Sequence, residues 1–151
     1  MKTTTLLCLA LIVISLPGCG GSSSSTTAPT TTATTTDVLT GTVAAPVAGV
    51  LQSSFNPFSV GQSGGTVSVT LTSAVETLPG GALLTSITMG LGIGQVSNNA
   101  CTLLTNAFTT AQAGSAAQLS GSLSAGAYCV KVSDVSNQLG PVSYAVAVTH
   151  P

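Results

Sequence analysis

Three stretches of the chain place large apolar residues at every second position, with small or polar residues between them. They are Val67-Ser68-Val69-Thr70-Leu71, Tyr128-Cys129-Val130-Lys131-Val132 and Val142-Ser143-Tyr144-Ala145-Val146-Ala147-Val148. Successive side chains of an extended strand point to opposite faces, so each stretch predicts a strand with one buried face and one polar face. Sheets of that kind are antiparallel, packing on a core from one side and meeting water on the other. Further strands are predicted at Leu39 to Val43, Phe58 to Val60, Leu83 to Met89, Cys101 to Leu104 and Gln118 to Leu123. The turn signals between them are Gly64-Gly65, Pro79-Gly80-Gly81, Ser97-Asn98-Asn99, Ala125-Gly126 and Gly140-Pro141. About seven or eight short strands at this spacing predict an all-β fold, an antiparallel sandwich or jelly roll, over residues 38–151. In Leu91-Gly92-Ile93-Gly94 the alternate positions are glycines, the mark of a strand that lies close against another backbone or bends at a sheet corner. A phosphate-binding loop is disfavoured there, because no third glycine follows at Val96 or Ser97 and no helical pattern begins.

The N-terminal residues break this texture twice. Lys2 precedes an apolar run from Leu6 to Leu16, which ends in Pro17-Gly18-Cys19. A run of about 11 residues is too short to cross roughly 30 Å of hydrocarbon as a helix, and it reads as a secretory signal over residues 1–18. Within the linker, residues 19–37, the positions after Cys19 are Gly, Ser and Thr interrupted by Ala28, Pro29 and Ala33 and ending at Asp37. Such a segment cannot bury a core and is expected to act as a tether with a reach of roughly 24 Å.

Composition narrows the partners. Charged residues are 3% of the chain, against about 25% in an ordinary globular protein, so the surface must be Thr, Ser, Gln, Asn and Gly. Once the leader is excluded, three carboxylates (Asp37, Glu76 and Asp134) stand against the single ammonium of Lys131. Nucleic acid is excluded as a natural partner, since phosphate binding needs clustered Lys or Arg. Of the four cysteines, Cys8 lies in the leader and Cys19 at its end, leaving Cys101 and Cys129 to pair in an exported domain. Alternation puts Cys129 on the face opposite Tyr128, Val130 and Val132, so the bridge is expected to clasp the outer face of its sheet.

Catalytic chemistry finds little material. Glu76, Asp134, Lys131 and His150 fall into no motif, and no catalytic residue, metal site or cofactor is expected. Asp134 with Ser136 and Asn137 is expected to hydrogen-bond its own backbone in a turn in preference to holding calcium. Lys131 is expected to keep a polar sheet face soluble. His150, one residue from the end of the sequence, is expected to fray. Trp is absent, and Phe55, Phe58, Phe108, Tyr128 and Tyr144 are the only aromatic residues that a ligand platform could use.

Two resemblances add to this reading. Leu16-Pro17-Gly18-Cys19 resembles the bacterial lipoprotein signal, which implies cleavage before Cys19 and lipidation of that cysteine. It also implies anchorage in the cell envelope, and Gly20 in place of Asp implies delivery to the outer membrane if the cell is Gram-negative. The second rests on five pieces: Phe58-x-Val60, Gly65-x-Val67-x-Val69-x-Leu71, Leu91-Gly92-Ile93-Gly94, Leu123-x-x-Gly126-x-Tyr128-x-Val130-x-Val132 and Tyr144-x-Val146-x-Val148. This pattern is similar to bacterial pre-peptidase C-terminal (PPC-like) domains and implies their β-sandwich fold. The expected function is that of a non-catalytic binding or structural module held at the membrane through Cys19. A glycan- or peptide-binding adhesin, and an accessory module of a secreted hydrolase system, are the alternatives. A protein or glycan partner is compatible with the neutral surface.

Overall fold

The computed structural model describes residues 33–151, and within them nine β-strands and no helix. The signal segment, Cys19 and most of the expected tether lie outside the described residues. The strands are β1 (Thr35–Val43), β2 (Ser53–Val60), β3 (Gly65–Thr77), β4 (Leu83–Leu84), β5 (Met89–Ser97), β6 (Ala100–Ala111), β7 (Leu119–Leu123), β8 (Gly126–Ser133) and β9 (Val142–His150). They form two antiparallel sheets, one ordered β1-β9-β3-β4 with β7 also pairing to β3, the other β2-β8-β5-β6. The all-β sandwich expected from the alternation is the fold observed.

The core is what that alternation dictates. Val67, Val69, Leu71, Val142, Tyr144, Val146 and Val148 of the first sheet face Phe58, Val60, Met89, Leu91, Ile93, Tyr128, Val130 and Val132 of the second. Two tyrosines tie the layers with their polar ends. The Tyr144 hydroxyl donates to Ser54 Oγ at 3.0 Å and accepts from Asn56 Nδ2 at 2.9 Å, both on β2 of the other sheet. The Tyr128 hydroxyl donates to the Ser124 carbonyl at 3.1 Å, fixing the turn that leads into β8. A buried tyrosine keeps its hydroxyl only where a partner waits, and both partners are supplied locally or across the sandwich.

Four elements differ from expectation, each for a physical reason. Strand β1 reaches back to Thr35, because three residues of the threonine-rich segment pair fully with β9 and threonine suits a pleated surface. The strand expected from Leu83 to Met89 exists only as Leu83–Leu84, which pairs with Glu76–Thr77 at the edge of the first sheet, and a separate strand begins at Met89. His150 is not frayed. It is the last residue of β9, buried, with its ring 5.7 Å from that of Phe58. The fourth difference is in β3, where the register slips between Leu71 and Ser73. One extra residue in a strand reverses which side chains face inward. Up to Leu71 the odd-numbered positions are buried, and beyond the bulge Ala74 and Glu76 take their place.

Candidate functional site

The glycine-rich strand β5 shows why its sequence alternates as it does. Met89, Leu91 and Ile93 enter the core, and Gly90, Gly92 and Gly94 form a stripe on the other face. A side chain at Gly90 would strike Ser133 and the Phe108 ring, one at Gly92 would strike Leu103, and one at Gly94 would strike the Thr102 carbonyl and Cys101 Sγ. Strand β6 therefore lays its side chains across β5, the close approach expected of these glycines. At one end of this stripe Cys101 of β6 and Cys129 of β8 form a disulfide, with 5.9 Å between their Cα atoms. Both cysteines are buried yet outside the core cluster, in agreement with a clasp on the outer face. The strand pairings also put Phe55, Lys131, Gly92 and Phe108 in one row across this face.

The acidic residues are placed less predictably. Asp37 and His150, 113 positions apart, meet through Asp37 Oδ2 and His150 Nε2 at 3.0 Å. The other ring nitrogen lies 3.1 Å from the Pro151 carbonyl oxygen, so both nitrogens are engaged within the protein. Glu76, swung inward by the bulge in β3, is buried. Its Oε1 accepts the backbone N–H of Leu139 and that of Gly140, the latter at 2.8 Å. A carboxylate in that position replaces the sheet partners that the loop after β8 lacks.

That loop, residues 134–141, packs against the loop 44–52 at one end of the sandwich. Asp134 is buried. Its backbone N–H donates to the Gln52 carbonyl at 2.9 Å, and its Oδ1 accepts the Asn137 N–H at 3.2 Å. This is the backbone hydrogen bond expected of Asp134. Asn137 Nδ2 donates to the Thr88 carbonyl at 2.9 Å. Gln138, also buried, turns its Nε2 toward the carbonyls of Val43, Ala44 and Gly140 at 3.2, 3.0 and 2.7 Å. Between the loops is a cleft of about 240 Å³ walled by Pro46, Gly49, Leu51, Asp134, Ser136 and Gln138. A second cleft of about 270 Å³ opens between the irregular middle of β6 (Leu104, Asn106, Ala107) and β7 (Leu119, Gly121, Leu123).

The same end of the sandwich carries most of its exposed apolar side chains. Val47, Val50, Leu51, Leu83, Leu84 and Leu139 are six of the ten large hydrophobic residues exposed among those described. Val47 and Val50 flank a tight hairpin turn in which Ala48 and Gly49 both take positive φ, at 51° and 77°. The chain enters β1 at the opposite end, where Thr35 pairs with His150. The turn residues Asp134, Ser136, Asn137 and Gly140-Pro141 mark the second of these loops, 134–141, in the sequence, whereas nothing in the alternation of the strands marks loop 44–52. The Ala48-Gly49 turn between two valines was the available signal. Comparison with protein-family models, with curated proteins and with solved structures finds no match to this chain.

Proposed function

We propose that the chain is a lipid-anchored protein of the cell envelope, held through Cys19, and that its β-sandwich is a non-catalytic module that binds a partner through its loop end. The observation that carries this reading is the gathering of exposed Val47, Val50, Leu51, Leu83, Leu84 and Leu139 at the end of the sandwich remote from the entry of β1. Contiguous apolar surface on an otherwise polar protein marks a contact site. Strand β1 spans about 27 Å from Thr35 to Val43 at ~3.4 Å per residue, so a domain tethered at Thr35 carries this surface well away from its attachment. The residues before and at Cys19 support the anchor, and a Gram-negative host would place the protein in the outer membrane.

Two measurements on cells test the reading. Cys19→Ser is expected to move the protein from the membrane to the soluble fraction, and persistence in salt-washed membranes contradicts the anchor. A photoreactive residue at Val50 or Leu139 is expected to give covalent adducts, whereas one at Val38, equally exposed near the chain entry, is not. Adducts at Val38 alone, or at no position, reject the loop end as the contact surface.

A glycan-binding reading is favoured by one observation, the row of Phe55, Lys131, Gly92 and Phe108 on the outer face of the second sheet. Aromatic rings beside a cation on an open face suit a sugar ring. Retention on a glycan matrix that Phe108→Ala abolishes is the result this reading requires.

A further inference from the structure

We propose that the partner of the loop end is lipid, and that its exposed aliphatic side chains seat in the interface of the bilayer that holds the chain's own anchor. The inference rests on the contact surface and the anchor proposed above, and names what that surface meets. Three segments are fastened together at this end. The Asp134 N–H donates to the Gln52 carbonyl, Asn137 Nδ2 to the Thr88 carbonyl and the Thr77 N–H to the Pro141 carbonyl, each at 2.9 Å. Segments 44–52, 78–88 and 134–141 therefore present one surface, on which Val47, Val50, Leu51, Leu83, Leu84 and Leu139 stand exposed.

What this surface lacks selects its partner. The three segments contain no Lys, Arg, His or Glu, and their one acid, Asp134, is buried, as is Glu76 beside them. A protein partner is registered by complementary charge, and this end has none to offer. A bilayer interface requires no register. It takes up aliphatic side chains to a depth of about 5–10 Å, provided that the backbone carrying them leaves no bare polar group in the hydrocarbon. The tips of the loops meet that condition. The Val50 N–H donates to the Val47 carbonyl at 2.9 Å, the Leu78 N–H to the Ala82 carbonyl at 2.8 Å and the Gly81 N–H to the Leu78 carbonyl at 2.9 Å, so two of the three loops close their own turns.

The length of chain ahead of the sandwich identifies which bilayer. Residues 20–34 separate Cys19 from the start of β1 at Thr35. Fully extended they reach about 50 Å, against about 27 Å along β1 from the chain entry to the loop end. The segment is thus long enough to run back beside the domain and let the loop end rest on the membrane in which Cys19 is held. Tethering keeps the surface within that radius of this one bilayer, and the high effective concentration makes individually weak aliphatic contacts sufficient. An opposing membrane has no such advantage.

The chain has no tryptophan, so a single one reports its own depth without background. Val50→Trp, Leu139→Trp and, as an equally exposed control near the chain entry, Val38→Trp are made in the full lipidated chain. Each is reconstituted into phosphatidylcholine vesicles with and without bromine on the acyl chains. Brominated lipid is expected to quench emission about twofold or more at positions 50 and 139 and to leave position 38 unchanged, with the same result in about 0.5 M sodium chloride because no exposed charge carries the contact. Leu51→Ser with Leu83→Ser, both at exposed positions outside the core, should at least halve the quenching at position 139. Quenching by brominated vesicles that lack the protein, mixed with unbrominated vesicles that hold it, would make an opposing membrane the partner and overturn the inference. Unquenched tryptophan at both 50 and 139 also overturns it. In that event, protein adducts at photoreactive positions 50 and 139 in cells would leave the contact surface standing with a protein as its partner, and absence of any adduct would remove the surface as well.

Discussion

At the scale of the residue, the chain separates polar groups that hold loops from those that keep the surface wet. Glu76 is the clearest of the former. Its oxygen takes two backbone N–H groups of the loop after β8, and it reaches them only because the bulge in β3 turns position 76 inward. Glu76→Gln retains an acceptor oxygen and should cost little, within about 1 kcal/mol of the original stability. Glu76→Ala leaves both donors buried without a partner, and should cost about 2–5 kcal/mol. Urea unfolding of the two variants checks the contrast. Equal losses would show that the charge of Glu76, and not its hydrogen bonds, is what the loop requires.

Among the elements, β5 has the most specific demands. Its outward positions are glycine because β6 and the Cys101–Cys129 bridge lie over them. Gly94→Ala would set a methyl group 2.3 Å from the Thr102 carbonyl oxygen and 2.9 Å from Cys101 Sγ. Overpacking against backbone of this kind typically costs about 1–3 kcal/mol, and the strand would also be pushed away from the bridge. Gly121→Ala, with nothing within 4 Å, is the matched control and should be near neutral. The bridge closes a loop of 28 residues, which corresponds to about 3.6 kcal/mol in the polymer model. Reduction should lower the melting temperature of the parent more than that of Gly94→Ala, in which the bridge is already strained. The opposite order would separate the glycine from the bridge.

How much of these elements the sequence discloses follows from the range of the interactions involved. Strands β3, β8 and β9 are legible because alternation is local and their buried faces are filled by Val, Leu and Tyr. The pairing of Cys101 with Cys129 is legible by elimination. The extent of β5 is less so, because three of its residues have no side chain to count. The inward turn of Glu76 is hidden by a single extra residue in β3, and the contact of Asp37 with His150 spans 113 positions. The loop-end cleft is the least legible part. Asp134 and Gln138 look like ordinary turn residues until the loop 44–52 is folded over them.

On the scale of the whole molecule, the scarcity of charge becomes a physical property. Among the described residues the one contact between a basic and an acidic side chain joins the buried His150 to the partly exposed Asp37, and Lys131 is the only lysine or arginine. Screening by salt acts on exposed charges separated by about a Debye length, roughly 10 Å at 0.1 M, and here there are almost none to screen. The contact of Asp37 with His150 has its histidine side buried, where salt has little access to it. The thermal stability of the protein should therefore be flat between about 0.02 and 0.3 M sodium chloride, the range in which the Debye length falls from roughly 21 Å to roughly 6 Å. A steep rise with sodium chloride would contradict this, since it would require long-range repulsion among exposed charges that the described residues scarcely carry.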